Sequence, residues 1–142
     1  MTRGSAVLSW YEEVAMIARD IMTRTVHTIS PEATVQDVAQ LLSQKSMSGV
    51  PVIDKEGKII GIVTESDIIG KVHRAGLCVA DIMSPEIIFV DEETRVGEIA
   101  MLLVERNIKR VPVMREGQLL GIICRADIVH AVAQGHLIIR HW

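Results

Sequence analysis

Apolar residues along the chain follow two rhythms, and each rhythm occurs twice. From Val35 they fall at 35, 38, 39 and 42, and from Val96 at 96, 99, 100 and 103. That spacing lines one face of an amphipathic helix. Val50–Ile53 and Ile59–Val63 are β-rich runs on either side of a glycine-containing turn, which predicts a hairpin. Val26–Ile29 is a short extended segment closed by Ser30-Pro31, and a further helix is expected from near Thr64 to beyond Ile69. Each copy reads β-α-β-β-α. Pro51 and Pro112 are expected to open their strands, where a missing N–H matters least.

The duplication is explicit in the residues. Asp20-Ile21-Met22-Thr23 returns as Asp81-Ile82-Met83-Ser84, and Val50-Pro51-Val52 as Val111-Pro112-Val113, both 61 positions on. The offset then becomes 60, with Gly61, Ile62 and Asp67 answered by Gly121, Ile122 and Asp127. One residue has been lost where Asp54-Lys55-Glu56-Gly57 faces Arg115-Glu116-Gly117. A surface turn between strands absorbs such a change. About three strands and two helices per copy bury too little surface alone, so two copies sharing a core are expected. The chain divides into an N-terminal extension (1–17), a first repeat (18–75), a second repeat (76–134) and a tail (135–142). In the extension, Ser9 to Glu12 has the form of a capping box opening a helix through Ile17. The apolar tail and this helix are expected either to close the pair or to meet a second copy.

Composition narrows the function. Hydrophobic residues are 49% but aromatic ones only 3%, so the core must be aliphatic. The net charge of −3, with both signs mixed, argues against general nucleic-acid binding. Cys78 and Cys124 are the only cysteines, too few for a disulfide framework. No run approaches the roughly 20 apolar residues of a membrane helix. A soluble protein of the reducing cytoplasm is the expectation.

The sharpest chemistry lies where each hairpin ends. Gly61-Ile62-Val63-Thr64-Glu65-Ser66-Asp67 and Gly121-Ile122-Ile123-Cys124-Arg125-Ala126-Asp127 each run a strand into a helix start. A hydroxyl and backbone N–H groups there suit a phosphate, and a carboxylate suits a ribose diol. A plainer reading stands beside it: Thr64 is a good N-cap, and Asp67 favours the positive helix end. Cys124 is a poor cap, yet Asp127 remains.

Residues 18–134 resemble a CBS-domain pair, the repeat named after cystathionine β-synthase. The Asp-Ile-Met starts, Gly49-Val50-Pro51-Val52, Arg110-Val111-Pro112-Val113 and the two Gly-to-Asp strand ends carry the resemblance. It implies a mixed α/β (α+β) fold, two β-α-β-β-α repeats packed as a pseudo-two-fold pair with two clefts. It also implies adenosine-type ligands such as AMP, ADP, ATP or S-adenosylmethionine. Carried onto this chain, one cleft takes Thr64 and Asp67 for ribose and phosphate, Ile87 and Ile88 along the base, and Lys109 and Arg110 for phosphate. The other takes Asp127 with Val26, His27, Met47, Ser48 and Gly49. There Cys124 replaces the hydroxyl, the charges of Lys109 and Arg110 have no counterpart, and Arg125 is the candidate to restore one. Unequal clefts follow, the first being the stronger nucleotide site. Lys109-Arg110 as a solvated turn is the bland alternative.

Other constellations are thin. His130, His136 and His141 are not joined by a cysteine in any metal-ligand spacing. No base–nucleophile pair, Walker loop or catalytic triad is visible, so no enzyme activity and no required cofactor are expected. The expected function is a stand-alone regulatory module, an energy or metabolite sensor in which an adenine nucleotide signals to an enzyme or transporter partner. The resemblance adds a flat homodimer formed through helices. The alternatives are a ligand-free dimerisation module, which the basic pair Lys109-Arg110 disfavours, and a binder of S-adenosylmethionine or an NAD-type ligand.

Overall fold

The computed structural model describes residues 16–135. The expected N-terminal helix before Met16 and the tail after Gly135 lie outside them. In chain order the elements are α1 (Ala18–Ile21), α2 (Val35–Lys45), β1 (Gly49–Ile53), β2 (Ile59–Thr64), α3 (Glu65–Lys71), α4 (Val79–Ile82), α5 (Val96–Glu105), β3 (Arg110–Arg115), β4 (Gln118–Cys124) and α6 (Arg125–Ala133). The strands form two two-stranded sheets, β1-β2 and β3-β4.

Two compact units result, and each draws on both repeats. Among the described residues, unit one holds those up to Arg24, Val90–Val113 and those from Leu120 on; unit two holds Thr25–Phe89 and Met114–Leu119. Unit two is centred on buried Val38 and Leu42 of α2, Val50 and Val52 of β1, Val63 of β2, and Val79 and Ile82 of α4. In unit one, Val96, Ile99 and Leu103 of α5, Val111 and Val113 of β3, and Ile123 of β4 are buried. The helix residues are those that the 3.6-residue spacing selects.

The short α1 and α4 explain why the units cross the repeats. In unit one, Ala18 N–H donates to Thr94 O (2.8 Å) and Val96 N–H to Met16 O (2.9 Å). In unit two, Val79 N–H donates to Ala33 O (2.8 Å), the same bond 61 residues along and in the opposite sense. Each Asp-Ile-Met segment therefore docks on the other repeat's elements. The residues after it pair with a hairpin strand: Thr23 and Ile122 exchange both backbone bonds (2.9 and 3.0 Å), as do Ser84 and Ile62 (2.8 and 2.9 Å). A Cβ on Gly121 would stand 2.8 Å from Met22 Sδ and 2.9 Å from Thr23 O; on Gly61, 2.7 Å from Met83 Sδ and 2.9 Å from Ser84 O. The conserved spacing of motif and glycine within this chain is thus a packing requirement.

The expected first strand, Val26–Ile29, reduces to one parallel bridge between Ile29 and Val52. Pro51 causes this, and it lies inside β1 rather than opening it. Ile29 N–H donates to Pro51 O (3.0 Å) and Ile53 N–H to Ile29 O (3.1 Å). The next ladder bond upstream would need an N–H on residue 51, which proline lacks. In unit one Val90 N–H likewise donates to Pro112 O (3.0 Å), and Pro112 sits inside β3.

The lost residue is where the turn chemistry predicts. In the first hairpin Asp54 Oδ1 accepts from Glu56 and Lys58 N–H (both 2.9 Å), and Gly57 has φ +81°. The second hairpin turns on Glu116 (φ 51°) and Gly117 (φ 82°), two left-handed residues as a tight hairpin turn demands.

One capping device recurs. The backbone N–H before the helix donates to an aspartate three residues later at Ile17–Asp20 (2.9 Å), Thr34–Asp37 (3.0 Å), Thr64–Asp67, Cys78–Asp81 and Cys124–Asp127 (each 2.8 Å). This satisfies a donor at each helix start and sets a negative charge against the positive end of the helix dipole. The Thr34 backbone N–H, then its hydroxyl, lowers the Asp37 carboxyl; the Cys78 N–H and then its side chain do the same for Asp81.

Candidate functional site

Each unit contains one corner where a strand ends, a helix starts and the first strand of the hairpin begins. In unit two, Thr64 is the cross-strand partner of Gly49, and Glu65 N–H donates to Ser48 O (2.9 Å). Gly49 is buried, and a Cβ there would make a tight 3.2 Å approach to Val63 O. Asp67 Oδ2 accepts both the Thr64 N–H (2.8 Å) and the Thr64 hydroxyl (3.1 Å). Both residues are half-buried. The hairpin thus joins Ser48 and Gly49 to Thr64 and Asp67, a grouping that the sequence expectation did not make.

Unit one repeats the corner with different chemistry. Arg125 N–H donates to Lys109 O (3.1 Å), so Lys109 and Arg110 flank Cys124 and Arg125. Asp127 Oδ2 accepts the Cys124 N–H (2.8 Å) and lies 3.2 Å from its Sγ. The Arg125 guanidinium is directed elsewhere: Nε donates to Ile108 O (3.0 Å) and a terminal nitrogen to Leu103 O (3.4 Å). It caps carbonyls at the C-terminal end of α5, where a cation is favoured. These two bonds use part of the guanidinium's set of N–H donors.

The remaining expected site residues are placed as follows. Ile87 and Ile88 are half-buried in unit two, a few residues beyond the Ser84–Ile62 bridge. Val26 is half-buried and His27 exposed, both upstream of the single Ile29–Val52 bridge. Met47 packs against the unit two core and also edges an apolar groove of about 340 Å³ between α2 and α3. A second groove of about 600 Å³ lies by the first hairpin turn, lined from Thr28 to Glu32 and from Ile53 to Glu56. Sequence periodicity carries no signal for it, because loops form it. Among the described residues no group of three or more His, Cys, Asp or Glu side chains is placed to hold a metal ion. Cys78 and Cys124 are free thiols. No described helix is long and apolar enough to cross a membrane.

The CBS domain family model matches residues 18–74 and 79–134. The chain belongs to the CBS-domain family, with two repeats. Its relatives include the uncharacterised protein MJ1426 of Methanocaldococcus jannaschii, 28% identical over 82% of this chain and 91% of that protein. The chloroplastic CBS domain-containing protein CBSX1 of Arabidopsis thaliana is 28% identical over 77% of this chain and 60% of its own length. The chain therefore spans nearly all of one relative and somewhat over half of the other. Among solved structures, CBSX2 of the same plant in complex with AMP is 30% identical, with a TM-score of 0.78 over 85% of this chain and 98% of that one.

Proposed function

We propose that this chain is a regulatory module that binds an adenosine-containing molecule, catalyses no reaction, and reports the ligand to a partner protein. The observation that carries the reading is the AMP complex of CBSX2, whose fold this chain shares over nearly its whole described length. Two corners of this chain have the chemistry for such a ligand. Asp67 and Asp127 each keep a second carboxylate oxygen beyond the one used in capping, and that oxygen suits a ribose diol. The capping role and the ligand role are compatible, since one carboxylate offers about four lone-pair sites. AMP, ADP and ATP are the first candidates; S-adenosylmethionine is the second.

The module acts as a homodimer. Its helices carry apolar side chains that their own units leave in solvent: Met101 and Val104 on α5, Val129 on α6, Ile69 on α3. Met101 and Val104 lie three residues apart and so share one face of α5, and an exposed apolar face suits a protein–protein contact. Ligand binding shifts the assembly only as far as the ligand's affinities for the two states differ.

A thermal-shift panel of adenosine, AMP, ADP, ATP and S-adenosylmethionine tests the ligand class. At a hundred times its dissociation constant, a ligand adds about 2.7 kcal/mol. For a chain of this size that raises Tm by about 5–10 °C. At least one compound is expected to do so. A flat response to all five leaves only the dimerisation module.

A further inference from the structure

We propose that the dimer surface belongs to unit one: the outer face of α5 and α6 pairs with the same face of a second copy, α5 lying on α6 of the partner subunit. The inference rests on the homodimer reading above and names its surface.

The two units differ where their helices face outward. Met101 and Val104 of α5 and Val129 of α6 are exposed. At about 100° per residue, Gly97, Glu98, Val104 and Glu105 lie within about 60° of Met101, whereas Arg95 and Arg106 lie more than about 100° away. The outer face of α5 is therefore apolar and carries two carboxylates. On α6, Arg125 precedes Val129 by four residues and shares its side of the helix. In unit two, Gln36, Gln40, Ser43 and Gln44 of α2 stand in place of Gly97, Met101, Val104 and Glu105, and Glu65 of α3 in place of Arg125. Ile69 and Val72 are exposed there too, but beside a polar helix. Unit two thus has neither the apolar pair on its longer helix nor the cation at the start of the shorter one.

Charge also selects how the unit one face meets its copy. α5 and α6 pack together, and α6 starts beside the end of α5, since Arg125 bonds the carbonyls of Ile108 (3.0 Å) and Leu103 (3.4 Å). The two helices therefore run in opposite senses. A two-fold axis in the plane of this face lays it on its copy in one of two ways. With α5 on α5, antiparallel, Glu98 meets Glu105 of the partner subunit at both ends, and like charges oppose the contact. With α5 on α6, Glu105 at the end of one helix meets Arg125 of the partner subunit at the start of the other, twice over. Complementary charge fixes the second register. Arg125 is exposed, and its five N–H donors exceed the two bonds it makes within its own chain.

Sedimentation equilibrium on the full chain, with circular dichroism to check the fold, reads the pairing. Wild type is expected to dimerise. Glu105→Arg alone sets arginine against arginine, and Arg125→Glu alone sets glutamate against glutamate. Each is expected to dimerise at least about tenfold more weakly than wild type. Mixed in equal amounts, the two are expected to form a heterodimer of near wild-type affinity, because both contacts then join opposite charges. Met101→Gln gives α5 the residue that α2 carries at the matching position, and is expected to weaken the dimer at least about tenfold through lost apolar burial. Gln40→Glu on α2 is expected to leave it within about twofold. If Arg125→Glu does not fold, Met101→Gln and Gln40→Glu decide alone. Charge variants that dimerise no better mixed than apart, or a dimer that Met101→Gln spares, overturns this surface and leaves the homodimer reading standing. Wild type monomeric at every concentration overturns both.

Discussion

Gly121→Ala is expected to lower the stability of the chain by about 1–3 kcal/mol, the usual cost of forcing an extra carbon into a packed site. The new methyl group would lie 2.8 Å from Met22 Sδ and 2.9 Å from Thr23 O. The thioether can swing aside, since methionine is flexible. The carbonyl cannot, because Thr23 and Ile122 hold each other by two backbone bonds. Gly61→Ala meets Met83 and Ser84 in the same way and is expected to lose as much. Gly97 is the control: it lies in α5 with nothing within 4 Å of its absent Cβ. Gly97→Ala is expected to gain about 0.5–1 kcal/mol from helix propensity. Urea denaturation of the three variants checks the signs. An unchanged midpoint for Gly121→Ala would mean that the Met22-Thr23 segment does not press on β4.

The second large effect falls on one helix with two faces. Ile99 of α5 is fully buried, and Ile99→Ala is expected to cost about 2–5 kcal/mol through lost burial and the cavity left behind. Val104, five residues on, is 75% exposed. Val104→Glu is expected to change stability by under about 0.5 kcal/mol, as exposed substitutions do. Its effect should appear in assembly instead, as a shift from dimer to monomer by light scattering. Wild type already running as a monomer, or a Val104→Glu dimer of unchanged affinity, would contradict the proposed helical interface.

Much of this architecture was legible because it is local. The residues at 35, 38, 39 and 42 mark the buried face of α2, with Val38 and Leu42 fully inside. The turn sequences located the one-residue loss correctly. What the pattern hid is non-local. Nothing in Asp20-Ile21-Met22 announces that α1 docks on Thr94 rather than within its own repeat, because backbone bonds between distant segments leave no composition signature. The role of Pro51 was hidden for the same reason. Its missing N–H ends a ladder with a neighbour twenty-two residues away in sequence, and so shortens the expected first strand. At the candidate site, the aspartates and the hydroxyl were readable from their spacing to the helix start. The neighbourhood of Lys109 and Arg110 was not, because hairpin register decides it. The bonds from Arg125 to the carbonyls of Leu103 and Ile108 were not readable either, because both acceptors are backbone groups distant in sequence.

Titration of AMP into the wild-type chain and into Asp127→Asn and Asp67→Asn tests the central claim most directly. Asparagine keeps an acceptor for the capping N–H, so both variants should fold. Saturable binding of AMP is expected in wild type, weakened at least about tenfold by one or both substitutions, as loss of a charged hydrogen bond requires. No binding in wild type, or AMP affinity untouched by both substitutions, would contradict the assignment of these strand ends as the ligand sites.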